Sequence, residues 1–219
     1  MAINETKIKA VILDLDQTIT TDEASWLQFT RILGADPTTH VKIYENFRQA
    51  KLTYPEAKAQ LLNLWQETGK TDRQNIKKAF ERIRVRDGAL EAVGYLRDKY
   101  DLCIISGAID LFVETIAEKL SINTWYASTR LKFDKENKLV DFDYKLSRGE
   151  EKLHFLEDYC RRNDLHPSRC AAIGDGESDM PIFSKVGRPI LFLAQETTPE
   201  QRKLIPTQIK NWPEIYKFL

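Results

Sequence analysis

The chain reads as an α/β protein: a doubly wound parallel sheet with a small helical-bundle cap inserted after the first strand. Three observations carry this. From Asp87 onward, short apolar stretches alternate with amphipathic helical ones, the pattern of a parallel sheet covered on both faces. Residues 22–84 repeat a helical period four times and show no strand pattern. Two apolar stretches far apart in the chain each end in carboxylates, at Asp14 and Asp16 and again at Asp175 and Asp179. The core is expected over 1–21 and 85–219, and the cap over 22–84.

The first strand is the run Val11-Ile12-Leu13, continuous and β-branched as in strands buried on both faces. Trp26, Phe29 and Leu33 mark the first cap helix, and Val41, Tyr44 and Phe47 the second. Ala57, Leu61, Leu64 and Trp65 mark the third, and Ile76, Phe80 and Ile83 the fourth, with these aromatics as bundle core. Thr53-Tyr54-Pro55-Glu56 and Thr71-Asp72-Arg73-Gln74 have the capping-box form that starts a helix. The spacing then predicts helix 88–99, strand 101–106, helix 109–120 and strand 124–127. A β-hairpin over 131–144 turns at Lys135-Glu136-Asn137-Lys138. Helix 150–163, strand 170–174, helix 178–186 and strand 189–193 follow, and Pro206 and Pro213 punctuate a short terminal strand and helix.

Ligands of open α/β sheets bind outside the carboxyl ends of the strands, so Asp14 and Asp16 are expected at such a mouth. Two crowded carboxylates call for a cation, and an all-oxygen set suits Mg²⁺, which also takes substrate phosphate as a ligand. An ionised Asp beside the metal is a plausible nucleophile for phosphoryl transfer; two solvated acids at a strand end are the plainer alternative. Cys170-Ala171-Ala172-Ile173-Gly174-Asp175-Gly176 repeats the design. Gly174 and Gly176 permit a sharp turn and close backbone approach, and Ser178 or Asp179 is placed to cap the next helix. Ser106 and Gly107 end another apolar strand and offer a hydroxyl and an N–H to an anion; taken alone, a simple serine helix cap explains them better. Lys152 sits near a helix start, against the macrodipole preference, with Lys145 and Arg148 as competitors for the same cationic role.

These motifs resemble those of the haloacid dehalogenase-like phosphohydrolases, in particular their phosphoserine phosphatase-like branch. Asp14, Asp16 and Thr18 match the Asp-x-Asp-x-Thr motif, and Ser106 matches the hydroxyl motif. Lys152 matches the lysine by spacing, and Gly174, Asp175, Gly176 and Asp179 match Gly-Asp-Gly-x-x-Asp. The resemblance spans Ile8 to Leu219 and implies a Rossmann-like core and Mg²⁺-dependent phosphomonoester hydrolysis through an aspartyl-phosphate. Asp14 would attack phosphorus, and Asp16 would protonate the leaving group and then activate water. Asp14, Asp16 (through its carbonyl) and Asp175 would hold Mg²⁺, with Asp179 behind them. Thr18, Ser106, Gly107 and Lys152 would serve the phosphate.

Glu23 stands nine residues after Asp14, where that branch places a glutamate near the substrate amino group. A first-turn helix acid is the alternative reading. The cap arginine that holds the substrate carboxylate in the branch has no counterpart in 51–60, where Lys58 is the available cation; lysine replaces a bidentate arginine poorly. A small phosphomonoester bearing an amine is therefore expected. A phosphotransferase using the same intermediate and a receiver-like phospho-binding module are the rivals.

Acids and bases balance at 33 each across 219 residues, which gives no electrostatic footprint for nucleic acid or an anionic membrane. The three cysteines suit buried hydrophobes better than a disulfide framework. Neither a signal-peptide core nor a membrane-length apolar run is present. A cytoplasmic enzyme, monomeric or homodimeric and acting on a small phosphorylated metabolite, is the expectation.

Overall fold

A computed structural model describes residues 7–21, 23–144, 147–195 and 197–219. Its spine is a seven-stranded sheet. In chain order the strands are β1 (Ala10–Leu13), β2 (Asp101–Ile109), β3 (Thr124–Phe133), β4 (Leu139–Asp143), β5 (Cys170–Gly174), β6 (Arg188–Phe192) and β7 (Gln208–Ile209). Their spatial order is β4-β3-β2-β1-β5-β6-β7, parallel throughout except for the antiparallel β3–β4 hairpin. The four residues of β1 are buried and lie between β2 and β5, which is why this strand reads as unbroken hydrophobicity. The chain reverses its direction of winding at β1, so both acid-ending strands, β1 and β5, deliver their side chains to one crevice.

Between β1 and β2 come α1 (Ser25–Leu33), α2 (Pro37–Arg48), α3 (Tyr54–Gln66), α4 (Arg73–Glu81) and α5 (Ala89–Arg97). The four expected cap helices are α1 to α4. An antiparallel bridge between Thr20 and Val85 ties together the two segments that enter and leave them. The Thr53–Glu56 capping box forms on both sides. The second expected box is displaced by one residue: Asp72 caps α4 by accepting from the Asn75 N–H, while the Thr71 carbonyl is taken by Leu139. In α2 the inward face is His40 and Ile43, leaving Val41 and Tyr44 exposed at 37% and 44%. The expected core stripe of Val41, Tyr44 and Phe47 is thus wrong in its first two members, because the helical period fits either face.

The remaining helices are α6 (Asp110–Leu120), α7 (Arg148–Arg162), α8 (Met180–Phe183) and α9 (Pro199–Leu204). β2 runs on to Ile109 instead of ending at Ser106, and β3 fuses the expected strand 124–127 with the first arm of the hairpin. The helix expected over 178–186 is only a 3₁₀ turn at Glu177–Asp179 followed by α8. Neither Ser178 nor Asp179 caps it, since the Asp179 carboxylate reaches back to the Gly176 N–H at 3.2 Å. One apolar cluster joins sheet and helices, through Phe80 against Phe112 (5.3 Å) and Phe29 against Trp65 (5.0 Å). The hairpin packs on the same helices, with Phe142 against Trp65 and Trp26. Among the described residues, no helix is long and apolar enough to cross a membrane.

Candidate active site

Asp14 follows β1 directly, and its N–H donates to the Ile173 carbonyl at 2.9 Å, carrying the β1–β5 pairing into the loop that follows. Its side chain is 6% exposed. Lys152, on the second turn of α7 and itself fully buried, donates from Nζ to Asp14 Oδ1 and to Asp179 Oδ1, both at 2.7 Å. Lys145 lies outside the described residues, as does the side chain of Arg148. Asp175, at the end of β5, accepts from the Thr18 hydroxyl at 3.1 Å. Thr18 is anchored in turn by Trp212, whose indole N–H donates to the Thr18 carbonyl. Carboxylate oxygens of Asp14, Asp175 and Asp179 all lie within 4.8 Å of one another.

Three carboxylates face one ammonium, so full ionisation leaves two negative charges uncompensated. Burial is the largest reason that Asp14 is pushed up to about 7; Lys152 pulls it down, and Asp179 and Asp16 push it further up. Asp175 rises to about 8 from burial and then from the charges of Asp14 and Asp179. Burial opposes the charge on Lys152, but its two carboxylate partners outweigh that and hold the ammonium above the ordinary lysine range. A cluster of hard oxygen donors that resists its own ionisation suits a hard divalent cation. The residues present fit such an ion.

The metal ligand expected from Asp16 is its backbone carbonyl, so the direction of its side chain leaves that set unchanged. The Asp16 carboxylate is turned away from this cluster: Oδ1 accepts from the Ser25 N–H (3.1 Å) and Oδ2 from the Ser25 hydroxyl (2.8 Å). It therefore binds the first residue of α1, and the third carboxylate of the cluster belongs to Asp179. Gln17 takes a positive φ of 59°, and Arg86 clasps its carbonyl through Nε and one terminal nitrogen (3.2 and 2.8 Å).

Ser106 lies two residues beyond Ile104, which pairs with Leu13, so it reaches the same end of the sheet as Asp14. It is buried and its hydroxyl accepts from the Ala108 N–H at 3.2 Å. The Gly107 carbonyl accepts from Thr129. Because β2 continues to Ile109, these two residues belong to a strand end and not to the first turn of α6. Glu23 is not aimed at the cluster; both its oxygens accept from Arg31 at the surface, at 2.7 and 2.5 Å. Lys58 is also engaged, in an ion pair with Asp141 at 2.6 Å.

The two glycines beside Asp175 differ in their duties. A Cβ on Gly174 would stand 2.4 Å from the Asp179 carboxyl carbon, whereas one on Gly176 would meet nothing within 4 Å. The contacts made by Ser25, Arg86 and Trp212 on the catalytic loop had no signal in the sequence, since they join residues from 9 to 194 positions apart.

A haloacid dehalogenase-like hydrolase family model matches residues 11–184. A phosphoserine phosphatase of Methanocaldococcus jannaschii is 25% identical over 217 residues, covering 98% of this chain and 99% of its own length. One from Streptococcus thermophilus is 28% identical over 149 residues, covering 65% of this chain and 64% of its own. A solved phospho-aspartyl intermediate analogue of phosphoserine phosphatase superimposes with a TM-score of 0.73 at 25% identity, over 97% of this chain and 99% of that one. With the motifs on the expected strand ends and the model spanning most of the sequence, the chain belongs to the haloacid dehalogenase-like hydrolases.

Proposed function

We propose that the protein is a cytoplasmic, Mg²⁺-dependent phosphomonoesterase that hydrolyses a small phosphorylated metabolite through a phosphoryl group carried on Asp14. The observation that carries this reading is the placement of Asp14, clamped by Lys152 at 2.7 Å beside Asp175 and Asp179, at the mouth of the central strand. The phosphoserine phosphatases that match over nearly the whole chain support it.

Lys152 fixes Asp14 by Oδ1, leaving Oδ2 to attack phosphorus in line. An ammonium has three protons to donate. Lys152 spends two on carboxylates, and the third serves a phosphoryl oxygen, where charge spreads in a loose transition state. The Ser106 hydroxyl and the Gly107 N–H serve the other oxygens. Mg²⁺, held by Asp14, Asp175 and the Asp16 carbonyl with Asp179 beside them, would neutralise phosphoryl charge and favour ionised Asp14. Asp16 protonates the departing alkoxide, then takes a proton from the water that cleaves the acyl-phosphate. Thr18 orients Asp175.

The test is Mg²⁺-dependent release of inorganic phosphate from phosphomonoesters by the native protein and by Asp14→Asn. The amide is neither nucleophile nor anion, so activity is expected to vanish. Appreciable turnover by the variant, or full activity in excess chelator, overturns the assignment. Transfer of phosphate to added alcohols in preference to water would replace hydrolysis by phosphotransfer.

A further inference from the structure

A cavity of about 350 Å³ lies among the α1–α3 segment and the β3–β4 hairpin, with Gln17 of the loop after β1 in its wall, within the range of about 300–1,000 Å³ typical of small-molecule sites. Gln17, the neighbour in sequence of Asp16 and Thr18, is the part of its wall that comes from the loop after β1. The remaining wall is dominated by aromatic side chains of α1, α2, α3 and the hairpin, including Trp26, Phe47, Tyr54, Phe142 and Tyr144. Among the described residues, no acidic residue lines it. Glu23, the expected partner for a substrate ammonium, is held outside by Arg31. Among the described lining residues the lysine is Lys58, which already pairs with Asp141 at 2.6 Å and lies 5.3 Å from the Phe142 ring centre. His40, also in the wall, is driven down to about 4 by burial and is neutral near pH 7.

A substrate ammonium would lose its hydration here with no carboxylate to receive it and a lysine nearby, and a substrate carboxylate would have to displace Asp141 from Lys58. Neither cost is met, because buried charges need a partner. Val41 and Tyr44, exposed at 37% and 44%, are cavity-lining side chains that leave apolar surface in water. Resting on the phosphatase reading above, we infer that the leaving group is an uncharged, largely apolar alcohol, aromatic or branched, whose ring or chain fills this aromatic cavity while its phosphate meets Asp14. The reaction balances as ordinary hydrolysis: the P–O bond to the alcohol breaks, the alkoxide takes the Asp16 proton, and water supplies the hydroxyl that releases phosphate.

The experiment compares kcat/KM with Mg²⁺ for 2-phenylethyl phosphate, phosphoserine, phosphoethanolamine and phosphocholine, all alkyl esters with aliphatic alcohol leaving groups. Acetyl phosphate, which needs no recognition of its leaving group, reports the catalytic centre alone. The expected result is a ten- to hundredfold preference for 2-phenylethyl phosphate over the three charged esters. Free 2-phenylethanol is also expected to inhibit acetyl phosphate hydrolysis competitively. Ala57→Phe, which puts a ring into the cavity wall, is expected to cut the preference at least tenfold. Preference for phosphoserine or phosphoethanolamine, or for phosphocholine as an aromatic-caged cation, overturns the inference while leaving the phosphatase reading intact. Absence of Mg²⁺-dependent acetyl phosphate hydrolysis overturns both.

Discussion

Replacing Gly174 by alanine is expected to disable the site, while the same change at Gly176 is expected to be nearly silent. The Cβ added at Gly174 would lie 2.4 Å from Asp179 Cγ and 2.5 Å from Oδ2, about 1 Å inside ordinary van der Waals contact of roughly 3.5 Å. The backbone cannot retreat, because β5 is paired with β1 on one side and, at Gly174 itself, with Leu191 of β6 on the other. Asp179 must therefore move by about that 1 Å. Its bonds to Lys152 (2.7 Å) and to the Gly176 N–H (3.2 Å) cannot both survive such a shift. Lys152 then loses one of the two contacts that aim it. A misplacement of about 1 Å near the reacting groups costs on the order of 100-fold in rate, and overpacking costs about 1–3 kcal/mol of stability. Gly176 has open space around its Cβ position and a φ of −128°, which any residue adopts, so its alanine variant should stay within about 0.5 kcal/mol of the parent. Acetyl phosphate turnover and thermal melting of the two purified variants decide the matter. Full activity in Gly174→Ala, or an equal loss in both, would refute the steric argument.

In metal-free protein, Asp14 and Asp175 hold protons up to about 7 and about 8. The folded state then binds more protons than the unfolded one from about pH 4 upward, and stability falls as pH rises through that window. Mg²⁺ is expected to raise the melting temperature far more at pH 7.5 than at pH 5, and a pH-independent shift would contradict it. His40 carries the opposite sign: its folded value of about 4 lies below the unfolded 6.5. That contribution is intact above pH 6.5 and is lost as pH falls towards 4, reaching about 3 kcal/mol. It is read as the difference in denaturant midpoint between the parent and His40→Leu, and a difference that does not change between pH 7 and pH 4.5 sinks it. Asp16→Asn should take phosphate from p-nitrophenyl phosphate, whose leaving group needs no proton, and release it slowly. A burst followed by a stalled steady state is expected in stopped-flow, and undiminished steady turnover would be evidence against acid–base work by Asp16.

The strand ends were legible because a strand buried on both faces has no polar residue until it leaves the sheet. Asp14 and Asp175 announce their own positions in this way. Lys152 stood out from Lys145 and Arg148 only through the family resemblance, whose motif lysine falls at its spacing before Asp175. Orientation was not legible. Nothing in the local sequence says that Asp16 turns to Ser25, that Glu23 turns to Arg31, or that Asp179 joins the carboxylate group. Each outcome is a competition among partners that only the assembled tertiary structure brings within reach. The stripes of α2 failed for a related reason: positions 40, 43 and 47 fit the helical period as well as 41, 44 and 47. His40 won the inward face because the Thr30 hydroxyl waits there. That hydroxyl donates to the Trp26 carbonyl, accepts from the Trp65 indole and shares a hydrogen bond with His40 Nδ1, three partners for a group that can make three such bonds.

The grip of Ser25 on Asp16 works as an interlock. The residue that must hand over a proton is steadied by the first residue of the roof above it, through one backbone and one hydroxyl donor. Seating α1 and aiming the acid are consequently a single event. On the proposed mechanism, a displacement of α1 would take these two donors away from the acid and loosen its aim.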